Sequence, residues 1–112
     1  MKTIRDGLED IALSMIERAV KARKGNLAKE SAWRNLVNVR FYKKTIFDES
    51  GCKETSITMA NVEWKSGTET EDVEILLCHL ENQVLEMGLF PIYTGDSIFG
   101  DGIYGRVYII EI

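Results

Sequence analysis

The sequence predicts an α+β domain of two layers, with helices packed on a small antiparallel or mixed sheet in the order α-α-β-β-α-β-β. Three observations carry that expectation. Apolar residues recur at helical spacing near the N-terminus and again between residues 68 and 88. β-Branched and aromatic residues gather between 38 and 65 and between 89 and 112. Glycine-bearing turn signals sit at the joints. The 112 residues suffice for a single domain, 1–112, with one core.

The first helix is predicted from about Thr3 to Lys24. Ile4, Leu8, Ile11, Ala12, Met15, Ile16 and Ala19 follow the three-and-four spacing. Thr3 and Asp6 form a capping pair, Lys21, Arg23 and Lys24 suit the negative end of the helix dipole, and Gly25 suits a left-handed stop. Leu13 falls almost opposite the centre of the apolar face and Val20 at its margin. Asn26 is expected to cap a second, shorter helix through Ala28, Ala32, Trp33, Leu36 and Val37.

Asn38 to Phe47 reads as a strand, Asp48-Glu49-Ser50-Gly51 as a turn, and Thr55 to Lys65 as the partner strand. Apolar parity slips between Ile57/Met59 and Val62/Trp64, which predicts a bulge near Ala60-Asn61. Thr68-Glu69-Thr70-Glu71 reads as a capping box for a third helix. That helix has one stripe of Val73, Leu76, Leu77, Leu80, Val84 and Met87, and Gly88 ends it. Ile75, Cys78 and Leu85 form a second apolar strip on its other side, which implies either a further layer or a partner chain. Leu89 to Thr94 reads as a strand, Gly95 to Gly105 as a loop and Arg106 to Ile112 as an interior strand, apolar on both faces.

Charge is sorted along the chain. Met1 to Lys44 carries eleven bases against five acids, and Thr45 to Ile112 three bases against thirteen acids. Such a split bears on partners and assembly rather than on chemistry. No apolar run approaches the ~18 residues of a membrane-spanning helix, and Asp6, Glu9 and Asp10 interrupt any signal-peptide core, so a cytoplasmic protein is expected. Cys52 and Cys78 are expected as free thiols.

Candidate chemistry is thin. Gly100-Asp101-Gly102-Ile103-Tyr104-Gly105 matches the dinucleotide-binding string but opens no helix, and a strand follows it. Cys78 and His79 are adjacent, and neighbouring helical residues point about 100° apart, so they do not share a metal ion easily. His79 is the sole histidine and is expected on the helix flank near Asp72 and Glu86; no nucleophile lies in a catalytic signature. Asp96 and Asp101 are better read as turn-formers than as Mg²⁺ ligands. No catalytic residue, cofactor or metal is expected, and the chain reads as non-enzymatic.

Binding remains. The leading expectation is a small interaction protein with a protein partner, forming a homo-oligomer through Ile75, Cys78 and Leu85 and through Phe99 and Tyr104 of the glycine loop. A second is an acidic-faced inhibitor or adaptor docking Glu69, Glu71, Asp72 and Glu74 on a basic target, such as a nucleic-acid enzyme. A third is nucleic-acid binding through Lys21, Arg23, Lys24, Lys29 and Arg34, against which stands a pI near 5.0. Within the fold, the two charged halves would otherwise neutralise each other. In element order and size the chain resembles tail-completion and neck proteins of phages and small virus-encoded inhibitors, a likeness of architecture that implies an accessory role without enzymatic activity.

Overall fold

The computed structural model describes residues 3–112. Helix α1 spans Ile4–Arg23, α2 Glu30–Arg34, β1 Leu36–Phe47, β2 Glu54–Lys65, α3 Thr70–Glu86, β3 Phe90–Gly100 and β4 Ile103–Glu111. The order is α-α-β-β-α-β-β, and the four strands form one sheet in the order β1-β2-β4-β3. Every neighbouring pair is antiparallel. The fold is α+β, as the residue pattern predicts, and β4 is an interior strand.

Local chemistry explains the long elements. Thr3 Oγ1 accepts from the Asp6 N–H at 3.1 Å and Asp6 accepts from the Thr3 N–H at 3.3 Å, so the capping box closes the start of α1. Both long helices end in the same glycine motif. Gly25 and Gly88 take left-handed backbone, at φ 76° and 80°, and the amides on either side return to the last carbonyls.

Four local expectations are corrected. Residues 26–37 do not form one short helix: Asn26 donates back to Lys21 O as part of the α1 stop, Lys29 is left-handed at φ 53°, α2 is one turn, and Leu36 and Val37 already belong to β1. Tertiary pairing wins here, because Leu36 is opposite Trp64 and fully buried. No bulge occurs at Ala60-Asn61; the β1–β2 register runs unbroken from Asn38 to Phe47 and shifts only between Leu36 and Asn38. The Thr68 capping box does not form: Glu69 holds the N-cap position without a side-chain hydrogen bond, while Thr68 Oγ1 donates to Lys65 O. The expected Gly95–Gly105 loop is strand almost throughout. β3 and β4 make a hairpin closed by Asp101-Gly102, with Gly102 at φ 73°. Asp-Gly is a strong tight-turn signal, and here it outweighs the density of glycine around it.

The three helices and one face of the sheet share the core. Leu8, Ile11, Met15 and Ala19 of α1, Trp33 of α2 and Leu76, Leu77, Leu80 and Val84 of α3 pack with Val39, Ala60, Val62, Trp64, Tyr108 and Ile110. In an antiparallel ladder directly paired residues point to the same side. Val39, Val62 and Arg106 are paired in line, as are Phe41, Ala60, Tyr108 and Tyr93, which fixes this as the helix-covered face. The molecule measures 51 × 37 × 18 Å, thin along one axis as two layers require.

Candidate interaction surface

The second face of the sheet carries Tyr42, Met59, Ile109 and Ile92 in one row from β1 to β3. The next row is Arg40, Asn61, Val107 and Gly95. On the other side stand Lys44 opposite Ile57, and Glu111 opposite Phe90. The helices all lie on the other side. Met59 is 8% exposed, yet it is the one buried apolar residue, among the described residues, outside the core cluster. Its neighbours in the sheet bury it, not a second layer. Ile57, Val107 and Ile109 are half-buried, and Phe90 and Ile92 are exposed. The result is an apolar centre on β2, β4 and β3 bordered by bases on β1.

Two features finish this face. Asn61, 3% exposed, is the polar group at its centre; it is hydrogen-bonded to the Tyr42 hydroxyl at 3.2 Å, and the Arg40 guanidinium lies 5.2 Å from the Tyr42 ring centroid. Phe99 folds over Gly105: a Cβ at Gly105 would stand 2.2 Å from the Phe99 ring and 2.8 Å from Val62 O. Glycine is required there by this close approach, and the ring covers the bare backbone of an interior strand. The edges are less inviting than the face. β3 begins with Pro91 near its start and is irregular between Tyr93 and Gly95 and between Ile98 and Gly100, and β1 carries Lys43 and Lys44, all devices that discourage edge pairing.

The residues singled out from sequence are dispersed. On α3, Ile75 packs against the core, whereas Cys78 and Leu85 are exposed, so the three do not form one free strip. Phe99 lies on the open face; Tyr104 lies on the helix side, opposite Ile98, where both are exposed beyond the helices. Glu69, Glu71 and Asp72 line an open depression at the start of α3 together with Lys29 and Lys65, and Asp72 accepts from Ser31 Oγ at 3.3 Å. Glu74 is exposed one turn on. Here the basic and acidic halves meet within one chain. Of the basic group, Arg23 donates to Leu36 O at 3.3 Å, and Arg34 donates to Ala22 O at 3.1 Å and pairs with Glu30 at 2.8 Å. Both arginines thus hold the α1–α2 corner together, and Lys21, Lys24 and Lys29 are exposed around it.

His79 is not a plain surface histidine. Its ring meets Trp33 edge-on at 5.0 Å, and Arg18 lies 4.6 Å over the same indole. Burial first, then the Arg18 charge, push its pKa below the usual value, against a smaller opposing pull from Glu86. Asp96 is taken by Arg106 Nε at 2.8 Å. Among the described residues, no three His, Cys, Asp or Glu side chains converge on a point suited to a metal ion. Both cysteines are free, and no helix among the described residues is long and apolar enough to cross a membrane.

No family model matches the chain, and neither a curated protein nor a solved structure does. The open face, the surface that the fold itself leaves without a layer, was not singled out from sequence except at Phe99. Its signal was present in the parity slip along β2. Ile57 and Met59 belong to one face and Ala60, Val62 and Trp64 to the other, so the slip marks a strand apolar on both sides rather than a bulge.

Proposed function

We propose that this chain is an interaction protein without catalytic activity, and that the open face of its sheet is where it holds a protein partner. One observation carries the reading: four strands covered by helices on one side present Tyr42, Ile57, Met59, Ile92, Phe99, Val107 and Ile109 on the other, and among the described residues no helix or second sheet lies over them. Antiparallel sheets that face water usually show a polar outer face. A contiguous apolar one is a contact surface or an aggregation hazard. Its bordering charges, Arg40, Lys44, Glu63 and Glu111, suit the rim of a protein interface.

Hydroxyl-radical footprinting tests this without assuming the partner. In purified protein diluted until it is monomeric, Tyr42, Ile92, Phe99 and Ile109 should all label. In intact expressing cells they should be protected, while Leu13 and Leu85 on the helices label in both. Equal labelling of the open face in the two settings would overturn the reading.

A further inference from the structure

The same face also bears on which partner. Building on the reading above, we infer that the open face packs against the same face of a second copy of this chain, about a two-fold axis running along the strands between β2 and β4. Two-fold pairing needs a surface complementary to itself. An axis along the strands sets β1 over β3 of the partner subunit and β2 over its β4, row for row. Tyr42 then meets Ile92 of the partner subunit, and Met59 meets Ile109 of the partner subunit. The long Arg40 lies over Gly95 of the partner subunit, where no side chain stands. Lys44 comes within one strand spacing of Glu111 of the partner subunit, base beside acid, while Glu63 also stands beside Glu63 of the partner subunit and Glu111 beside Glu111 of the partner subunit across the axis. An axis across the strands at the Tyr42 row instead sets β1 on β1 and brings Lys44 against Arg40 of the partner subunit, like against like. The approach of Lys44 to Glu111 of the partner subunit favours the first arrangement over that one.

Size suits a modest contact. Four strands about 4.8 Å apart and some six residues long make a face of about 19 by about 20 Å, roughly 400 Å² in outline, about half the ~800 Å² per partner of a standard interface, so a reversible dimer of modest affinity is expected. The bulges and Pro91 of β3 disfavour the competing route, a continuous sheet through the edges. The product is a four-layer sandwich, helices outside and two sheets inside.

Light scattering behind size exclusion reads the mass, and engineered cysteines read the axis. The wild-type protein should be a dimer, and Ile109→Glu should raise its dissociation constant at least about 100-fold while far-ultraviolet circular dichroism stays unchanged. With Cys52 and Cys78 replaced by serine, the double variant Tyr42→Cys/Ile92→Cys should be linked into a dimer by a bismaleimide spanning about 8 Å, since facing sheets stand about 10 Å apart and a direct disulfide does not reach, and Tyr42→Cys alone should not. As a second readout, Lys44→Glu should weaken the dimer and Lys44→Glu/Glu111→Lys should restore it. A monomer at the highest soluble concentration overturns the inference, yet leaves the footprinting result to decide whether a foreign protein uses the same face. A dimer cross-linked by Tyr42→Cys alone, or one that Ile109→Glu leaves intact, also overturns it.

Discussion

Replacing Gly105 by alanine probes the join between fold and surface. Gly105 pairs with Glu63 on β2 and Ser97 on β3, so a new Cβ there points to the open face. It would meet Phe99 Cε2 at 2.2 Å and Cδ2 at 2.6 Å, and Val62 O at 2.8 Å. The ring can swing away, but the carbonyl belongs to the backbone of an interior strand. Overpacking of this kind costs about 1–3 kcal/mol. Unfolding entropy of about 2.1 cal/mol/K per residue over a chain of this length makes 1 kcal/mol worth about 4 °C, so Gly105→Ala should melt about 4–13 °C below wild type. Calorimetry on wild type, Gly105→Ala, Phe99→Ala and the double variant separates the two contacts. Removing the ring relieves part of the clash, so Gly105→Ala should cost less in the Phe99→Ala background, by about 0.5 kcal/mol or more. A Gly105→Ala melt within about 2 °C of wild type, or an equal cost in both backgrounds, would refute the argument that Phe99 is seated on bare backbone.

Three further outcomes follow from the helix layer and the core. Ile75→Glu should destabilise the fold by roughly 2–4 kcal/mol in urea titration, because Ile75 packs on the core, whereas Leu85→Glu, at an exposed site, should stay within about 0.5 kcal/mol. His79 has a lowered folded pKa, so the unfolded chain binds its proton first: stability is complete above pH 6.5 and falls as pH drops below it, and the difference in urea midpoint between pH 7.5 and 5.5 should shrink in His79→Gln. Tyr108 is pushed up to about 12, by burial first and then by Glu81, against an opposing pull from Arg106 beside its hydroxyl. Its share of stability is thus present below pH 10 and lost as pH rises from 10 towards 12; Tyr108→Phe should remove that loss, as read by chemical denaturation between pH 8 and 11.

Much of the fold was legible in local chemistry. Thr3 with Asp6 and the glycines at 25 and 88 act within a few residues of themselves, so the bounds of α1 and the end of α3 follow from sequence alone. Where a rule was local but two signals competed, tertiary pairing decided. Leu36 fits a helix stripe, but it finds deeper burial against Trp64 in the sheet. The residues between Gly95 and Gly105 are rich in loop formers, yet the Asp101-Gly102 turn and the pairing of β3 with β4 draw them into a hairpin.

The candidate surface was less legible, for a definite reason. Sequence shows that a strand is apolar on both sides; it does not show which side the helices take. Ile57, Met59, Val107 and Ile109 look like core in any window of the chain. The exposed pair on α3, Cys78 and Leu85, draws the eye because helical periodicity makes its misfit visible, whereas period-two burial hides an open face among core residues. The sequence by itself determined the element types, their order, the turn between β1 and β2 and the separation of charge. Only the tertiary structure decided which face of the sheet the helices cover, because the right pairing of strands from both ends of the chain must exist before a face can be covered or left bare.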